Sequence, residues 1–515
     1  MLDINTSQNQ YLITIDYGTQ SVRALVFDSN GQLITKSMRQ VIPYNVPELG
    51  WAEQDANYCW QQVCEVLKQL WRESNITPSQ IIGISLTTQR NCVIHLDREY
   101  RPLRPIIMWP DNRRAHKLPP FSPWWKVAFG VIGMTRRLNY FQGESECNWV
   151  VEHQPDVAEK TDKIGFLSAW LNYKLSGVLA DSVASQVGYL PFNYKKRKWG
   201  MPWAWQWEAI DVTRNQMIDV IEPGEVLGQV NEQAHAETGL TAGTPIISAG
   251  ADKACETLTS GTASPNIASI SLGTAATVSI TQQEYKEAYR YLPAYPSLVE
   301  KSFINEIILQ RGFWLLSHFI EQYGQEDVQE AQRLGIKTEE FICRKIVDIL
   351  PGCNGLVVQP FWAPGVIYPG PEARGSIVGF TPDHTRFDLY RALIEGILLS
   401  LKQGLLRLEK ISPKKIDLIR ISGGGSQSDV VMQIASDVFN LPCERVQTHE
   451  TSGLGAAIAC AKGVGFYDTI SAGAKAMVKH GKRFEPSENA TLYQQIYDKK
   501  SSKIYSYLRP FYNKY

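Results

Sequence analysis

Two glycine–threonine pairs in the chain have the residue types that bind phosphate groups. Gly18-Thr19 and Gly273-Thr274 each lie between two apolar runs, and the same offset along the chain separates their glycines and their threonines. Backbone N–H groups of such a turn can donate to phosphate oxygens, and the threonine hydroxyl adds another donor. One turn of this kind is more often an ordinary hairpin, but two in equivalent positions favour a site for a phosphorylated ligand.

Two acidic residues lie close to these segments and could take part in chemistry there. Asp16 ends the apolar run before the first turn, and Asp252 follows Gly250 where a predicted strand meets a predicted helix. For Asp252 the residues alone leave two interpretations open, a helix N-cap and a carboxylate that accepts a proton during catalysis.

A glycine-rich segment, SGGGSQSD at residues 422–429, lies between a predicted strand and a predicted helix. Its three glycines allow a ligand to approach the backbone closely, and a helix N-terminus favours negative charge. The alternative is a plain loop whose helix is capped by Ser426 or Ser428. The sequence contains no Walker A, GxGxxG, HExxH or GxSxG pattern, so the common nucleotide-loop, metalloprotease and esterase interpretations are weak.

The elements that must position these residues alternate between strands and helices. Apolar runs predict a strand pair over 12–28, a strand over 81–87 and a second strand pair over 267–280, while helical spacing predicts helices over 55–73 and 388–410. This alternation is typical of an α/β fold. The repeated strand–turn–strand device predicts two halves built on one plan, with a hinge near residues 255–268 and a ligand cleft.

Composition limits the classes of partner. The chain has 515 residues, enough for roughly two to four domains. Lys+Arg and Asp+Glu each total 52, so no net charge favours nucleic acid or an anionic membrane. The nine cysteines are scattered and are expected to be small buried hydrophobes in a reducing compartment. We therefore expect a cytoplasmic protein with a small-molecule partner, no nucleic acid, no membrane span and no signal peptide.

Eight segments, in order, resemble the motifs of the FGGY family of carbohydrate kinases. The resemblance runs from about residue 11 to about residue 465, and each segment is weak alone but informative in this order. The segments are DYGTQSVRALVFD, WAEQD, GISLTTQRN, MWPDNRRA, SAGADKACETLTSG, SLGTAATVSI, PEARGSIVGF and ISGGGSQSDVVMQIASDVF with ETSGLGAAIACA.

The resemblance implies an α/β, actin/hexokinase-like fold in which two ribonuclease H-like domains flank a cleft for ATP and sugar. It places an N-terminal domain at residues 1–262, with the sugar site, the first phosphate loop and the catalytic acid. A C-terminal domain at residues 263–515 would carry the second phosphate loop and the adenosine site. The expected reaction transfers the γ-phosphoryl group of ATP to a hydroxyl group of a small sugar or polyol.

The resemblance also implies roles for individual residues. Asp252 matches the catalytic base, and Asp16 matches a residue that helps to hold Mg²⁺. The positions implied for ATP are Gly18, Thr19, Gln20, Gly273, Thr274, Gly424, Gly425 and Ser428. The positions implied for the substrate are Gln89, Arg90, Asn91, Trp109, Asp111, Tyr140 and Asp252.

Departures from the glycerol kinases of the family bear on the substrate. Asn91 stands where those enzymes have an acid, and Thr277 stands where they have the aromatic residue that closes a small pocket. We therefore expect a ketopentose-type sugar, as in xylulokinases, with glycerol as the alternative. Two other classes stay open at this point, namely a catalytically silent sugar sensor and an actin-like ATPase, and a second copy of the chain is a further candidate partner.

Two clusters have ordinary interpretations. The basic run YKKRKW at residues 194–199 is expected to be a solvated loop. The tryptophans at positions 199, 203, 205 and 207 are expected to form a small satellite core or an oligomer contact.

Overall fold

The computed structural model describes residues 10–261, 264–290, 292–365, 368–446, 448 and 450–512. The strands are β1 Tyr11–Tyr17, β2 Ser21–Phe27, β3 Leu33–Gln40, β4 Glu53–Gln54, β5 Ile81–Thr88, β6 Val93–Leu96, β7 Ile106–Ile107, β8 Lys163–Phe166, β9 Ala180–Ser182, β10 Phe192–Asn193, β11 Lys198–Trp199, β12 Asp219–Ile221, β13 Val226–Gln229, β14 Pro245–Ile247, β15 Ile267–Leu272, β16 Ala276–Gln282, β17 Tyr295–Pro296, β18 Phe303–Leu309, β19 Val357–Gln359, β20 Ser376–Val378, β21 Leu418–Ser422, β22 Cys443–Val446 and β23 His480–Phe484. The helices are α1 Ala56–Glu73, α2 Pro123–Val131, α3 Thr135–Glu144, α4 Glu146–His153, α5 Pro155–Lys160, α6 Leu167–Ser176, α7 Gln206–Ala209, α8 Glu232–Thr238, α9 Asp252–Thr259, α10 Trp314–Tyr323, α11 Gln325–Arg333, α12 Thr338–Ile346, α13 Arg386–Glu409, α14 Asp429–Phe439, α15 Thr451–Gly463, α16 Ile470–Met477, α17 Asn489–Ile496 and α18 Ser502–Tyr512.

The chain forms two compact units, and each contains segments that are distant in sequence. Unit 1 contains the described residues up to Thr259 together with Tyr295–Ser302 and Ser452–Met477. Unit 2 contains the described residues of Ser260–Ala294, Phe303–Thr451 and Val478–Tyr515. The domain limits 1–262 and 263–515 and the hinge near 255–268 stay predictions, and residues 262 and 263 lie outside the described part of the chain.

The main sheet of unit 1 has six strands in the order β13-β14-β5-β1-β2-β3. β1 pairs antiparallel with β2, which pairs antiparallel with β3, while β5 runs parallel to β1 and β14 runs parallel to β5. Every residue of β1 is buried, as expected for a central strand covered on both faces. The carboxyl ends of β1 and β5 therefore lie side by side, which brings the residues that follow them together.

The main sheet of unit 2 repeats this plan. Within unit 2 its strands follow the order β18-β16-β15-β21-β22-β23. β15 pairs antiparallel with β16, which pairs antiparallel with β18, while β21 runs parallel to β15 and β22 runs parallel to β21. The turns Gly18-Thr19 and Gly273-Thr274 occupy the same place in the two sheets, so the predicted duplication is confirmed.

Each sheet has its own apolar core. In unit 1 the core joins β1, β2 and β5 to buried residues of α1 and α6, and in unit 2 it joins β15, β16 and β21 to buried residues of α13 and α14. The predicted helices over 55–73 and 388–410 are observed within one or two residues of their limits. Asp55 lies just before α1 and caps it, since its side chain accepts the N–H of Tyr58 at 2.8 Å.

The cysteines and the tryptophan cluster largely follow the sequence predictions. All nine cysteines are buried and free. Trp199, Trp205 and Trp207 pack against a small core in unit 1, whereas Trp203 is exposed. None of the helices in the described part of the chain is long and apolar enough to span a membrane.

The basic run at 194–199 departs from its prediction. Arg197 is buried, not solvated. Its guanidinium pairs with Glu222 at 2.6 Å and donates to the carbonyl oxygen of Ser302 at 2.8 Å. An arginine with these partners can be buried because its charge and its N–H groups are satisfied. The prediction of a wholly solvated basic loop is therefore wrong at this residue.

Gly455 sets the spacing between α15 and α9 inside unit 1. A Cβ atom at position 455 would lie 2.3 Å from the carbonyl oxygen of Cys255 and 2.6 Å from its Cα. These are backbone atoms, so the two helices would have to move apart. We expect Gly455→Ala to destabilise the protein by about 1–3 kcal/mol, the usual range for overpacking, measured as a lower Tm.

Gly130 provides the matched control for this substitution. It lies in α2, and no atom of the described residues lies within 4 Å of the Cβ position. Gly130→Ala should be neutral, or stabilising by up to about 1 kcal/mol, because alanine is the better helix former. Equal effects of the two substitutions would contradict the steric role of Gly455.

Candidate functional site

The carboxyl group of Asp16 lies near the end of β1 in the sheet of unit 1. Residue 16 is paired with Arg23 on β2 and with Thr87 on β5. Asp16 is only 5% exposed, and its Oδ2 lies 3.4 Å from Nη1 of Arg23. The ion pair offsets part of the free-energy cost of burying the carboxylate. Asp16 thus lies close to the turn that follows it, with Arg23 as a partner.

The first Gly-Thr turn is tied to the end of β5 by side-chain hydrogen bonds. The hydroxyl of Thr19 donates to Oε1 of Gln89 at 2.8 Å, and Nε1 of Trp109 donates to the hydroxyl of Thr19 at 3.1 Å. The N–H of Gly18 donates to the carbonyl oxygen of Ser21 at 3.0 Å. This N–H therefore closes the turn in the structure, and the side chain of Gln20 is exposed.

The segment after β5 carries three predicted substrate residues. Gln89 is buried, and its Nε2 has no hydrogen-bond partner among the described residues. The guanidinium of Arg90 lies 6.0 Å from the ring centroid of Tyr295. Asn91 has a positive φ of 53°, and its Nδ2 donates to Oε1 of Glu146 at 2.7 Å.

Asp252 begins α9 and is half-buried. Its Oδ1 accepts the N–H of Lys253 at 2.7 Å. Burial raises the pKa of the Asp252 carboxyl above its usual value, while the positive charges of Arg90 and Lys253 oppose that rise. Because the charge of Arg90 acts on Asp252, the segment that follows β5 lies within electrostatic range of the start of α9. The spacing of these residues along the sequence does not predict this proximity.

The two predicted acids lie near one buried thiol. Burial raises the pKa of Cys255, and the negative charges of Asp252 and Asp16 both add to this rise. Cys255 belongs to the first turn of α9, so Asp252 and Asp16 come within electrostatic range of the same point. The structure therefore brings together acids from β1 and α9 that are far apart in the sequence.

Trp109, Asp111 and Tyr140 have different environments. Trp109 is 49% exposed, so an open face of its indole is available for contact. The side chain of Asp111 is only 3% exposed, and its two carboxylate oxygens accept N–H groups of Arg113 at 2.8 and 2.7 Å and the N–H of Ala52 at 2.6 Å. Tyr140 lies on α3 under the guanidinium of Arg114, 4.6 Å from its ring centroid.

Two residues beside these side chains were missed from the sequence. Glu146 contacts Asn91 from the start of α4, and Tyr295 lies beside Arg90 from a segment that follows β16 in the chain. Neither lies in a segment with a recognisable spacing, because each contact joins residues far apart in sequence. No signal in a single sequence would have identified them.

The second Gly-Thr turn lies in unit 2 between β15 and β16. The carbonyl oxygen of Gly273 accepts the N–H of Phe313 at 2.9 Å, and that of Thr274 accepts the N–H of Gly312 at 2.8 Å. These bonds fix the turn through its carbonyl groups. The turn is thus held in position by the segment that leads into α10.

The glycine-rich segment of unit 2 follows β21. Gly423 has a φ of 85°, and a Cβ there would lie 2.7 Å from the carbonyl carbon of Leu272. A Cβ at Gly425 would lie 2.7 Å from the ring of Phe313, whereas Gly424 has no described atom within 4 Å of its Cβ position. Ser428 caps α14 by accepting the N–H of Val431 at 3.4 Å, as the alternative interpretation of this segment predicted.

The acidic side chains of the described residues suit a metal ion that is bound together with a nucleotide. They suit a metal ion held by the protein alone less well. No group of three or more His, Cys, Asp and Glu side chains in the described part of the chain could hold a metal ion. Mg²⁺ usually keeps several waters and binds one or two carboxylates plus substrate phosphates. A single buried carboxylate such as Asp16 suits that arrangement.

Comparison with protein families covers most of the chain. The model of the N-terminal domain of the FGGY family of carbohydrate kinases matches residues 11–259. The model of the C-terminal domain of the same family matches residues 268–464. The two matches fall on the two halves that carry the repeated sheet plan.

Individual relatives agree with the family match. A protein of Escherichia coli (strain K12) described as an uncharacterized sugar kinase is 28% identical over 494 residues, which cover 95% of this chain and 92% of that protein. A xylulose kinase of Lactococcus lactis subsp. lactis (strain IL1403) is 26% identical over 494 residues, which cover 95% of each protein. The solved structure of ligand-bound xylulose kinase from Lactobacillus acidophilus has a TM-score of 0.82 at 20% identity and covers 98% of this chain and 99% of that one.

These findings confirm the expected fold class, an actin/hexokinase-like α/β fold of the sugar kinases. They also confirm the expected enzyme class, a phosphotransferase with an alcohol group as acceptor, which in this family uses ATP as the phosphate donor and a small-molecule sugar as the acceptor. The chain belongs to the FGGY family of carbohydrate kinases.

Proposed function

We propose that the protein phosphorylates a hydroxyl group of a ketopentose-type sugar, with ATP as donor, in the manner of a xylulose kinase. The observation that carries the proposal is the position of Asp252. Its carboxyl group begins α9, and its pKa responds to Arg90 at the end of β5. A carboxylate next to a cationic side chain that can bind hydroxyl groups is the arrangement that a sugar kinase needs.

Asp252 is proposed as the catalytic base. Phosphoryl transfer needs chiefly alignment of the reacting groups and neutralisation of charge, and a carboxylate that accepts the proton of the attacking hydroxyl. Burial raises the pKa of Asp252, which makes its carboxylate a stronger base than an exposed aspartate. The positive charge of Arg90 opposes this rise in the pKa of Asp252.

Gln89, Arg90 and Trp109 are proposed to bind the acceptor sugar, with Tyr140 and Asp111 as the other predicted contacts. The Nε2 of Gln89 has a free donor capacity among the described residues, and the planar fork of Arg90 suits two adjacent hydroxyl groups. The open face of Trp109 can cover the C–H side of a sugar. Both carboxylate oxygens of Asp111 already accept hydrogen bonds from Arg113 and Ala52. Asp111 would therefore support the acceptor-binding residues rather than contact the sugar itself.

The ATP and Mg²⁺ sites are proposed from the two repeated turns and the glycine-rich segment. In unit 1, Asp16 would hold Mg²⁺ next to the turn of Gly18, Thr19 and Gln20. Bound Mg²⁺ would neutralise charge on the phosphates. In unit 2, the proposed ATP-binding residues are Gly273, Thr274, Gly424, Gly425 and Ser428.

Two observations support a ketopentose rather than glycerol. Asn91 is uncharged and its amide group is engaged by Glu146, so position 91 offers no carboxylate to clamp a small triol. Thr277 is a buried residue of β16, and it carries no aromatic ring that could narrow a pocket.

A coupled ADP-release assay across pentuloses, hexuloses, pentitols and glycerol tests this proposal. We expect a pentulose to give the highest kcat/KM and ADP release without an acceptor to stay low, because water lacks the contacts that align a sugar hydroxyl. The Asp252→Asn variant, purified in parallel, reports any contaminating kinase. If glycerol gave the highest kcat/KM, the argument from Asn91 and Thr277 would be wrong.

A further inference from the structure

Glu146 is a buried carboxyl group beside the proposed acceptor site, and none of the roles above uses it. It is the first residue of α4 and only 9% exposed. Its Oε1 accepts Nδ2 of Asn91 at 2.7 Å. A buried carboxyl group needs a hydrogen-bond partner, because burying it without one costs free energy.

Asn91 is held in an unusual conformation by this contact. Its φ of 53° lies in the left-handed region, which asparagine tolerates better than most residues but does not prefer. Its Oδ1 is buried and has no hydrogen-bond partner among the described residues. A Cβ at Gly188 would lie 2.3 Å from that oxygen, so the absence of a side chain at 188 makes room for Asn91.

The backbone on either side of Asn91 leads to the proposed catalytic group. Arg90 precedes it and acts on Asp252. Cys92 follows it, and burial raises the pKa of its thiol, with Asp252 and Glu146 both adding to the rise. Glu146 and Asp252 are therefore both within electrostatic range of Cys92, which follows Arg90 and Asn91 in the chain.

We propose that Glu146 is a positioning residue of the acceptor site: its carboxylate holds the amide of Asn91 and thereby fixes Arg90 beside Asp252. The inference rests on the proposed function, since it assigns Arg90 to acceptor binding. It goes beyond that function because acceptor binding would depend on whether the carboxyl group of Glu146 is ionised.

The protonation of Glu146 changes near neutral pH. Burial raises the pKa of its carboxyl group to about 7, and the negative charges of Glu144 and Asp111 add to this rise. The N–H at the start of α4 and the amide of Asn91 oppose it. The other titratable groups whose pKa responds to Glu146 are the thiols of Cys92 and Cys147 and the phenol of Tyr189.

The ionised form of Glu146 holds Asn91 more strongly. A hydrogen bond to a carboxylate is roughly twice as strong as a bond between neutral groups. At saturating ATP and Mg²⁺, kcat/KM for the acceptor should therefore rise about fivefold as pH increases through 7. The effect should appear mainly in KM for the acceptor, since Asp252 itself is unchanged.

The Glu146→Gln variant separates positioning from simple packing. Glutamine has the same size and can still accept Nδ2 of Asn91, but it does not ionise. We expect its kcat/KM to be independent of pH between about 6 and 8 and close to the acidic limit of the wild type. Glu152→Gln, at the far end of α4, is the matched control and should keep the wild-type profile.

Thermal unfolding gives a readout that needs no substrate. Because the pKa of Glu146 is higher in the folded protein than in the unfolded chain, its stabilising contribution is complete below pH of about 4.5 and is lost as pH rises through about 7. The Tm of the wild type relative to Glu146→Gln should therefore fall between pH 5 and pH 8. An unchanged Tm difference over this range would overturn the inference.

Gly188→Ala tests the same contact from the opposite side. The added Cβ would displace the side chain of Asn91, so it should raise KM for the acceptor and weaken the pH-dependent rise. If the rise in kcat/KM near pH 7 persisted in Glu146→Gln, the inference about Glu146 would be overturned and the proposed function would not. Absence of phosphorylation of every acceptor by the wild type would instead overturn the proposed function, and the inference with it.

Discussion

Replacing Asp252 with asparagine is expected to lower kcat for acceptor phosphorylation about 10²- to 10⁴-fold, the range typical for loss of a general base. Asparagine has nearly the same shape and keeps an oxygen that can accept the N–H of Lys253, so the start of α9 should be preserved. It lacks the charge that accepts a proton from the sugar hydroxyl. ADP release at saturating substrates measures the loss, and titration calorimetry should show nearly unchanged ATP affinity.

The pH dependence adds a second test of the same role. Because burial raises the pKa of Asp252, the wild-type rate should fall as pH decreases through that raised value, since the base becomes protonated. The residual rate of Asp252→Asn should not show this fall. Retention of full turnover by the variant would remove Asp252 from the catalytic role.

Glu256 supplies the matched control for Asp252. It lies one turn further along α9, where its Oε2 is 2.6 Å from Nζ of Lys253. Glu256→Gln removes an acid from the same helix without removing the proposed base. Its kcat should stay within a few-fold of the wild type, because the lost charge affects only the pKa of Asp252 and leaves its carboxylate in place.

Replacing Asp16 with asparagine should lower kcat about 10²-fold or more and raise the Mg²⁺ concentration needed for half-maximal activity. A carboxylate is the ligand type that Mg²⁺ prefers, and an amide oxygen binds it more weakly. The acceptor KM should change little, because the acceptor residues lie after β5 and at α9. Mg²⁺ titrations at fixed ATP measure the effect.

The control for Asp16 comes from the same hairpin. Asp28 follows β2, and its Oδ1 accepts the N–H groups of Asn30 and Gln32 at 2.9 and 2.8 Å. Asp28→Asn should leave the Mg²⁺ requirement unchanged. An unaltered requirement in Asp16→Asn would contradict the metal-binding role.

Much of the fold was predictable because the pattern of apolar residues determines which faces are buried. The strands of the two repeated hairpins and the helices α1 and α13 follow directly from the spacing of their apolar residues. The predicted duplication also follows, since the two Gly-Thr turns mark the same point of each sheet. By contrast, no periodic pattern in the sequence predicts that Tyr295–Ser302 belongs to unit 1.

For the candidate site, the sequence predicts a set of residues but not the contacts among them. The motifs identified Asp16, Arg90 and Asp252, yet the proximity of Arg90 to Asp252 depends on how β5 and α9 meet. Local hydrogen bonds also decide what a group is free to do: the N–H of Gly18 closes its own turn, and Asp111 is engaged by Arg113. Such competition between partners is decided by three-dimensional packing, which spacing along the chain does not encode.

The sharing of distant segments by unit 1 has a consequence for protein synthesis. Gly83 of β5 fits closely against α15, since a Cβ at Gly83 would lie 2.5 Å from Val464 and 2.9 Å from Sγ of Cys460. The ribosome completes the strands of the first sheet long before it makes residues 452–477. At about 5–20 residues per second, the delay is on the order of ten seconds or more. During that interval the nascent sheet keeps an uncovered apolar face, so this chain should depend on chaperones more than an enzyme whose first sheet is completed by its own neighbouring sequence.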